Sequence, residues 1–183
     1  VEKDSEYQDI VSHKDMVIKK YQNIFSKEHI PLLTEAEFKE FLPFKNNHHW
    51  TQLPRVGGRI IQDMPILREA LTLLLDESVP IENRLNELRP DRYWGEHSMV
   101  PFLGMPVLTA ILLINHPDKY GVWNNTSDAG MKIVRLWDKR WETEPAGNSY
   151  VEMNAIFHEL SSQLQIDLWT LDALWWKLRK KHK

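Results

Sequence analysis

The sequence predicts an all-α protein that folds as one compact multi-helix domain over residues 1–183. Apolar residues recur at the three- and four-residue spacing of helices along most of the chain. Helix-capping sequences and prolines divide it into segments of helical length, and no segment shows the alternation that a half-buried strand requires. An apolar content of 42% is sufficient for the domain to bury a core of its own.

The first predicted helix covers residues 5–26 and carries apolar side chains such as Ile10, Val17 and Tyr21. Its exposed charges predict a peripheral position for the N-terminal segment, residues 1–30.

A capping box of Thr34 and Glu37 opens the next helix, which runs through Phe41 and ends at Pro43. Residues 44–62 then break the periodic pattern with two Asn, two His, a Trp, a Pro and a Gly-Gly pair. Because long ordered loops often carry function, we predict that this segment is a functional loop.

Residues 63–140 are predicted to form a core that contains a hairpin. The helices of this core begin at or next to capping residues or prolines, namely Asp63, Pro80, Pro106, and either Ser127 or Asp128 for a helix over 127–140. The helix after Pro106 contains the longest apolar run of the chain, Val107 to Ile114, which predicts a buried helix.

Residues 149–183 are predicted to form a C-terminal pair of helices. Ser149 and Glu152 form a second capping box, and Asp167 caps the last helix. That helix ends in a basic strip with Lys180 and Lys181. Such cations complement the dipole of a helix C-terminus, and they are equally suited to contact phosphate.

The composition excludes several classes of function. The chain has no cysteine, which rules out disulfides, zinc–thiolate sites and thiol nucleophiles and fits a cytoplasmic location. No apolar run approaches the ~20 residues that span a membrane, so no membrane partner is expected. The net charge of −3 and the pI of about 6.3 argue against nucleic-acid binding over the whole surface but allow a local basic strip.

Neither a metal nor a cofactor is expected. The histidines considered as ligands are scattered, without the i, i+4 pairing to a carboxylate that a metal site on a helix uses; they are His48, His49, His97, His116 and His158. The chain also lacks a Gly-rich phosphate loop and a diagnostic spacing of nucleophile and base.

The strongest local unit runs from Leu103 to Ala110. A Gly-containing turn that leads directly into a helix presents backbone N–H groups to a phosphate, while a hydrophobic residue anchors the turn in the core. Gly104, Met105 and Val107 are the residues that we predict near the phosphate. The same residues would also suit any tight turn between helices.

Together with Pro117–Val122, a polar residue and a following helix, this unit resembles the helix-hairpin-helix DNA glycosylase superfamily over residues 63–140. The resemblance implies a DNA glycosylase-like all-α fold and contact with DNA. It also places Leu108 at the position of the family's catalytic lysine and Asn124 at that of its catalytic aspartate. Pro106 replaces the second hairpin glycine and has no N–H to donate. These departures argue against base excision.

Three other segments are similar to helical segments of restriction and phage-defence proteins: Asn46–Trp50, Pro117–Asn124 and Ile166–Trp175. Such segments accompany a nuclease or motor domain there. The similarity implies a role in a restriction or defence system, with a nuclease or motor protein as partner.

Aromatic and amide side chains predict a pocket for a base, because amides pair with adenine edges and tryptophan stacks on unpaired bases. The predicted lining residues are Trp50, Trp123, Asn124 and Asn125, and the predicted additional phosphate contacts are Arg55, Arg59, Lys180 and Lys181. The competing interpretation is structural, with the asparagines capping helices and the tryptophans in the core.

The sequence thus predicts a non-catalytic DNA-binding or DNA-sensing module, and it leaves two alternatives open. An active glycosylase or lyase would use Asp128 as its acid and release a base from a modified or mismatched duplex. A protein-interaction or structural domain, which the acidic pI favours, would carry an exposed apolar patch instead of a basic strip beside the hairpin.

Overall fold

The computed structural model describes residues 5–50, 53–89 and 98–182 and confirms the all-α class. Within these ranges it contains eleven α-helices, two short 3-10 helices and no strand. The α-helices are α1 (Ser5–Ser12), α2 (Lys14–Ile24), α3 (Glu35–Phe41), α4 (Phe44–Asn47), α5 (Pro54–Ile60), α6 (Met64–Leu74), α7 (Ile81–Leu88), α8 (Met105–Asn115), α9 (Asn125–Ile133), α10 (Ala146–Leu164) and α11 (Leu168–Lys181). Among the described residues, no helix combines the length and the apolar character needed to cross a membrane.

Helix α8 lies at the centre of the core. Apart from Pro106, its residues from Met105 to Ile114 are all buried. A helix that is apolar on every side must be covered on every side. Helix α2 supplies part of this cover, and Gln22 Nε2 donates to the carbonyl of Ile114 at 2.9 Å.

The N-terminal segment forms two helices instead of the predicted one. Helices α1 and α2 are separated at His13, and Ile10 is buried. The carbonyl of Ile10 accepts a hydrogen bond from Trp169 Nε1 at 3.0 Å. Helix α1 packs against α11 and helix α2 against α8, while charged side chains such as Lys19 remain exposed.

The segment predicted to be a long loop contains α4 and α5, and a buried asparagine organises it. Asn47 Oδ1 accepts from the backbone N–H groups of His49 and Trp50 at 2.9 and 2.7 Å. Asn47 Nδ2 donates to the carbonyl of Leu42 at 2.8 Å. His48 ends α4 in the left-handed conformation, with φ of 52°, and this turns His49 and Trp50 back into the core.

Three predicted caps are confirmed. Thr34, Asp63 and Asp167 each accept a hydrogen bond from the backbone N–H three residues further along the chain. Each satisfies a donor that the first turn of its helix would otherwise leave unpaired.

Helix α9 begins earlier and ends sooner than predicted. Its cap is Asn124, whose Oδ1 accepts from the N–H groups of Thr126 and Ser127 at 2.7 and 3.0 Å, so neither Ser127 nor Asp128 is the cap. The helix ends at Ile133 because Arg135 turns left-handed, with φ of 62°. That conformation closes a helix C-terminus.

Helix α10 begins at Ala146, so the capping box predicted from Ser149 and Glu152 is wrong and Ser149 lies buried inside the first turns. Gly147 packs closely against α7, and its N–H donates to Asn86 Oδ1 at 2.8 Å. This close approach explains the early start, because the helix begins where the backbones of α7 and α10 meet.

A partly buried ion-pair network joins the turn after α6 to α7 and to the segment after α8. Arg84 is buried, and its guanidinium donates to Glu77 Oε1 at 2.8 Å and to the Tyr120 hydroxyl at 2.7 Å. Burial alone would raise the pKa of Glu77, but hydrogen bonds from Lys119, Tyr120 and Arg84 outweigh it and lower that pKa from 4.5 to about 2.

We expect the ionised Glu77 to stabilise the fold above pH 4.5 and to lose this effect as the pH falls towards 2. The pKa is lower in the folded state, so acid favours the unfolded state, which takes up the proton first. Urea unfolding of the wild type and Glu77→Gln across this range measures the effect. The difference between their free energies of unfolding should shrink as the pH falls, and a difference that stays constant would contradict the assignment.

Candidate nucleic-acid interface

The hairpin turn, residues 100–104, holds an exposed aromatic side chain in an unusual backbone conformation. Phe102 has φ of 68°, and 39% of the residue is exposed. Its carbonyl accepts from Gly104 N–H at 2.9 Å, and Leu103 N–H donates to the carbonyl of Val100 at 3.2 Å. A left-handed backbone is unfavourable for a bulky side chain, and such strain is concentrated at functional sites.

Helix α5 places a cation over this aromatic ring. The guanidinium carbon of Arg59 lies 4.5 Å from the centroid of the Phe102 ring, and the arginine is exposed. The pair therefore combines an aromatic face with a positive charge at the surface. Arg55 lies on the same helix, but its side chain is outside the described part of the structure.

Two of the three predicted backbone donors, the N–H groups of Gly104 and Val107, are engaged in hydrogen bonds within the turn. Met105 and Val107 have buried side chains, and Val107 N–H donates to the carbonyl of Gly104 at 2.9 Å. Val107 is therefore not supported as a phosphate contact. Gly104 is half-buried, and with φ of −86° its backbone does not require glycine. The N–H of Met105 is the donor that the first turn leaves for a ligand, because Pro106 has none.

The predicted base pocket is closed. Trp50 is 6% exposed and Trp123 is 3% exposed, so neither ring offers a face to a base. The Trp50 indole donates to Asp172 Oδ2 at 2.9 Å, and that of Trp123 donates to Asp128 Oδ1 at 2.7 Å. Both tryptophans are core residues, as the competing structural interpretation held.

The two asparagines differ in their surroundings. Asn124 uses its amide oxygen to cap α9, and its Nδ2 lies 3.4 Å from Asp172 Oδ1. Asn125 is exposed. Of the four predicted lining residues, Asn125 is thus the one whose side chain reaches solvent fully.

Asp172 is the acid that contacts Asn124, and sequence reasoning missed it. Burial raises the pKa of Asp172 and lowers the pKa of His49, whose Nε2 lies 3.4 Å from Asp172 Oδ2. The available signal was a carboxylate on the apolar stripe of α11, between Leu171 and Trp175. Asp128, the residue predicted as the alternative catalytic acid, accepts a hydrogen bond from the Trp123 indole.

Thr109 links the hairpin helix to the segment that carries these residues. Its hydroxyl donates to the carbonyl of Met105 at 2.6 Å and accepts from the N–H of Trp123 at 2.9 Å. The start of α8 and the cap of α9 are therefore held in a fixed relation.

The end of α11, which carries the predicted C-terminal cations, is joined to the start of α9 by one hydrogen bond. Arg179 Nη1 donates to Thr126 Oγ1 at 3.3 Å, which brings the end of α11 next to Asn125. Lys180 Nζ lies 4.9 Å from the centroid of the Trp176 ring, and Lys181 is exposed.

Comparison with known family models, curated proteins and solved structures gave no match. Function therefore has to be inferred from the residues and their geometry.

Proposed function

We propose that this chain is a non-catalytic DNA-binding or DNA-sensing module that meets DNA at its hairpin turn. The observation that carries the proposal is the exposed pair of Phe102 and Arg59, with the ring in a strained left-handed turn and the guanidinium 4.5 Å from its centroid. An exposed ring beside a cation suits an unpaired base and its phosphate.

Two further features support this role. The hairpin turn leads into the N-terminus of α8, where the helix dipole and the Met105 N–H favour an anion. At the start of α9, the exposed Asn125 precedes Thr126, which accepts a hydrogen bond from Arg179 at the end of α11. Arg179 is followed by the exposed cations Lys180 and Lys181. These cations would provide a second contact with the backbone of the nucleic acid.

The absence of catalysis is part of the proposal. Leu108 is fully buried, and Asn124 is engaged as a helix cap, so neither position offers a nucleophile or a base. Asp128 is held by Trp123, and Asp172 is buried beneath Asn124. In a restriction or defence system, such a module would deliver a nuclease or motor partner to DNA.

The second candidate function is a protein-interaction domain. Its support is a pair of exposed apolar side chains, Val134 and Leu136, at the end of α9. Together with the acidic pI, such a surface suits a protein partner better than DNA.

Fluorescence anisotropy of labelled duplex and single-stranded DNA, measured at low salt and again as salt rises, tests the DNA proposal. We expect Phe102→Ala to weaken binding about tenfold or more, since a stacked base contributes on the order of 1–3 kcal/mol. Arg59→Ala should reduce the salt dependence of the logarithm of the affinity by about one unit.

Two matched controls accompany these variants. Phe44→Ala removes an aromatic residue of similar exposure, 36%, and Lys19→Ala removes an exposed cation from α2. Both should bind DNA as the wild type does. If the wild type shows no saturable binding in the micromolar range, or if the hairpin variants match the controls, the DNA proposal fails and the interaction domain becomes the better interpretation.

A further inference from the structure

Three metal-binding side chains meet outside the candidate interface. Asp9 comes from α1, His13 from the junction of α1 and α2, and His48 from the end of α4. One donor atom of each lies within 4.8 Å of the donor atoms of the other two. Within the described ranges, these three side chains form the group whose donor atoms are close enough together to hold one metal ion.

Two of the three residues can be paired from the sequence. Asp9 and His13 have the i, i+4 spacing that places two ligands on one face of a helix, a spacing that His48, His49, His97, His116 and His158 lack. His13 Nδ1 lies 3.2 Å from Asp9 Oδ1. Two ligands of one tetrahedral zinc ion, each bound at about 2.1 Å, are about 3.4 Å apart. The separation of these two atoms therefore suits one ion, although His13 Nδ1 also lies 2.8 Å from the Asp9 carbonyl oxygen, a hydrogen bond that metal binding through this nitrogen would replace.

The third ligand is delivered by an uncommon backbone conformation. His48 has φ of 52°, and its ring stacks on that of His13 with centroids 4.0 Å apart and planes 2° from parallel. Parallel rings do not point their lone pairs at one ion, so a rotation of the imidazole of His48 is needed. Both rings are partly exposed, which leaves room for it.

We propose that Asp9, His13 and His48 bind one divalent transition-metal ion such as Zn²⁺, with a remaining position open to water. Two imidazoles and one carboxylate suit zinc, copper or nickel, whereas Mg²⁺ and Ca²⁺ prefer oxygen ligands. The ion would join α1 to α4 and would stabilise the N-terminal part of the fold.

Isothermal titration of Zn²⁺ into chelator-treated protein without a histidine tag tests the site, with Co²⁺ absorption as a second readout of coordination. We expect one equivalent to bind to the wild type. His48→Asn removes the imidazole but keeps a residue that accepts the left-handed backbone. It should weaken binding at least about tenfold, as should Asp9→Asn.

His29→Asn is the matched control. His29 Nε2 pairs with Glu37 Oε1 at 2.9 Å, without a third such side chain near it among the described residues. This variant should bind Zn²⁺ within about twofold of the wild type. Circular dichroism verifies that each variant is folded. If His48→Asn does not fold, the comparison of Asp9→Asn with the wild type decides the test. The proposal is overturned if the wild type shows no stoichiometric binding, or if the Asp9 and His48 variants bind Zn²⁺ as tightly as the wild type does.

Discussion

Replacing Gly147 by alanine is expected to lower the free energy of unfolding by about 3 kcal/mol. A β-carbon at this position would lie far inside van der Waals contact of the Glu82 carbonyl oxygen and 2.8 Å from Asn86 Oδ1. The Glu82 carbonyl belongs to the backbone of α7 and cannot rotate away from the β-carbon. Helices α7 and α10 would therefore have to separate. Urea denaturation followed by circular dichroism measures the loss.

The same substitution at Gly58 is the control. Gly58 lies within α5, and a β-carbon there would have no heavy atom within 4 Å. Alanine should leave the stability unchanged or raise it by about 0.5–1 kcal/mol, because it reduces the entropy of the unfolded chain. Equal effects at the two positions would show that the packing of α7 against α10 is looser than the structure indicates.

Replacing Asp172 by alanine is the second change with a large expected effect, a loss of about 2–4 kcal/mol. It removes the acceptor of the Trp50 indole, at 2.9 Å, and leaves the amide of Asn124 and the ring of His49 without the neighbouring carboxyl group. A buried donor without an acceptor costs on the order of 1–3 kcal/mol. Denaturant titration gives the loss, and the emission of Trp50 should change with it.

Asp118→Ala is a suitable comparison, since Asp118 is an exposed aspartate in the turn after α8. We expect its effect on stability to stay within about 0.5 kcal/mol. If Asp172→Ala changes the free energy of unfolding as little as Asp118→Ala does, water must solvate the donors that Asp172 now satisfies. The surroundings of Asp172 would then be accessible to water instead of closed.

The elements that sequence reasoning predicted best are those set by local contacts. The side chains of Thr34, Asp63 and Asp167 each reach an N–H three residues away, so the capping signal and its structural result lie within one turn. The cap of α9 was harder to predict, because the side chains of Asn124, Ser127 and Asp128 can all cap a helix. Packing of α9 against α11 selects among them, and the sequence does not contain that information locally.

The candidate site was less predictable for the same reason. Trp50 and Asp172 are 122 residues apart in the chain, and only the assembled fold shows that one satisfies the other. At the hairpin, Arg59 and the turn itself were predicted, but Phe102 was not. Phe102 and Leu103 are adjacent apolar residues, and only the turn geometry makes the first exposed and the second buried.

The hydrogen bonds of the Asn47 side chain restrict the sequences that this fold tolerates. It donates to the carbonyls of Phe41, Leu42 and Trp50 and accepts from two backbone N–H groups, while being fully buried. Aspartate has the acceptors without the donors, and glutamine is one methylene longer. A library randomised over this segment and selected for folding should therefore return asparagine at position 47 while accepting many residues at the exposed Lys45.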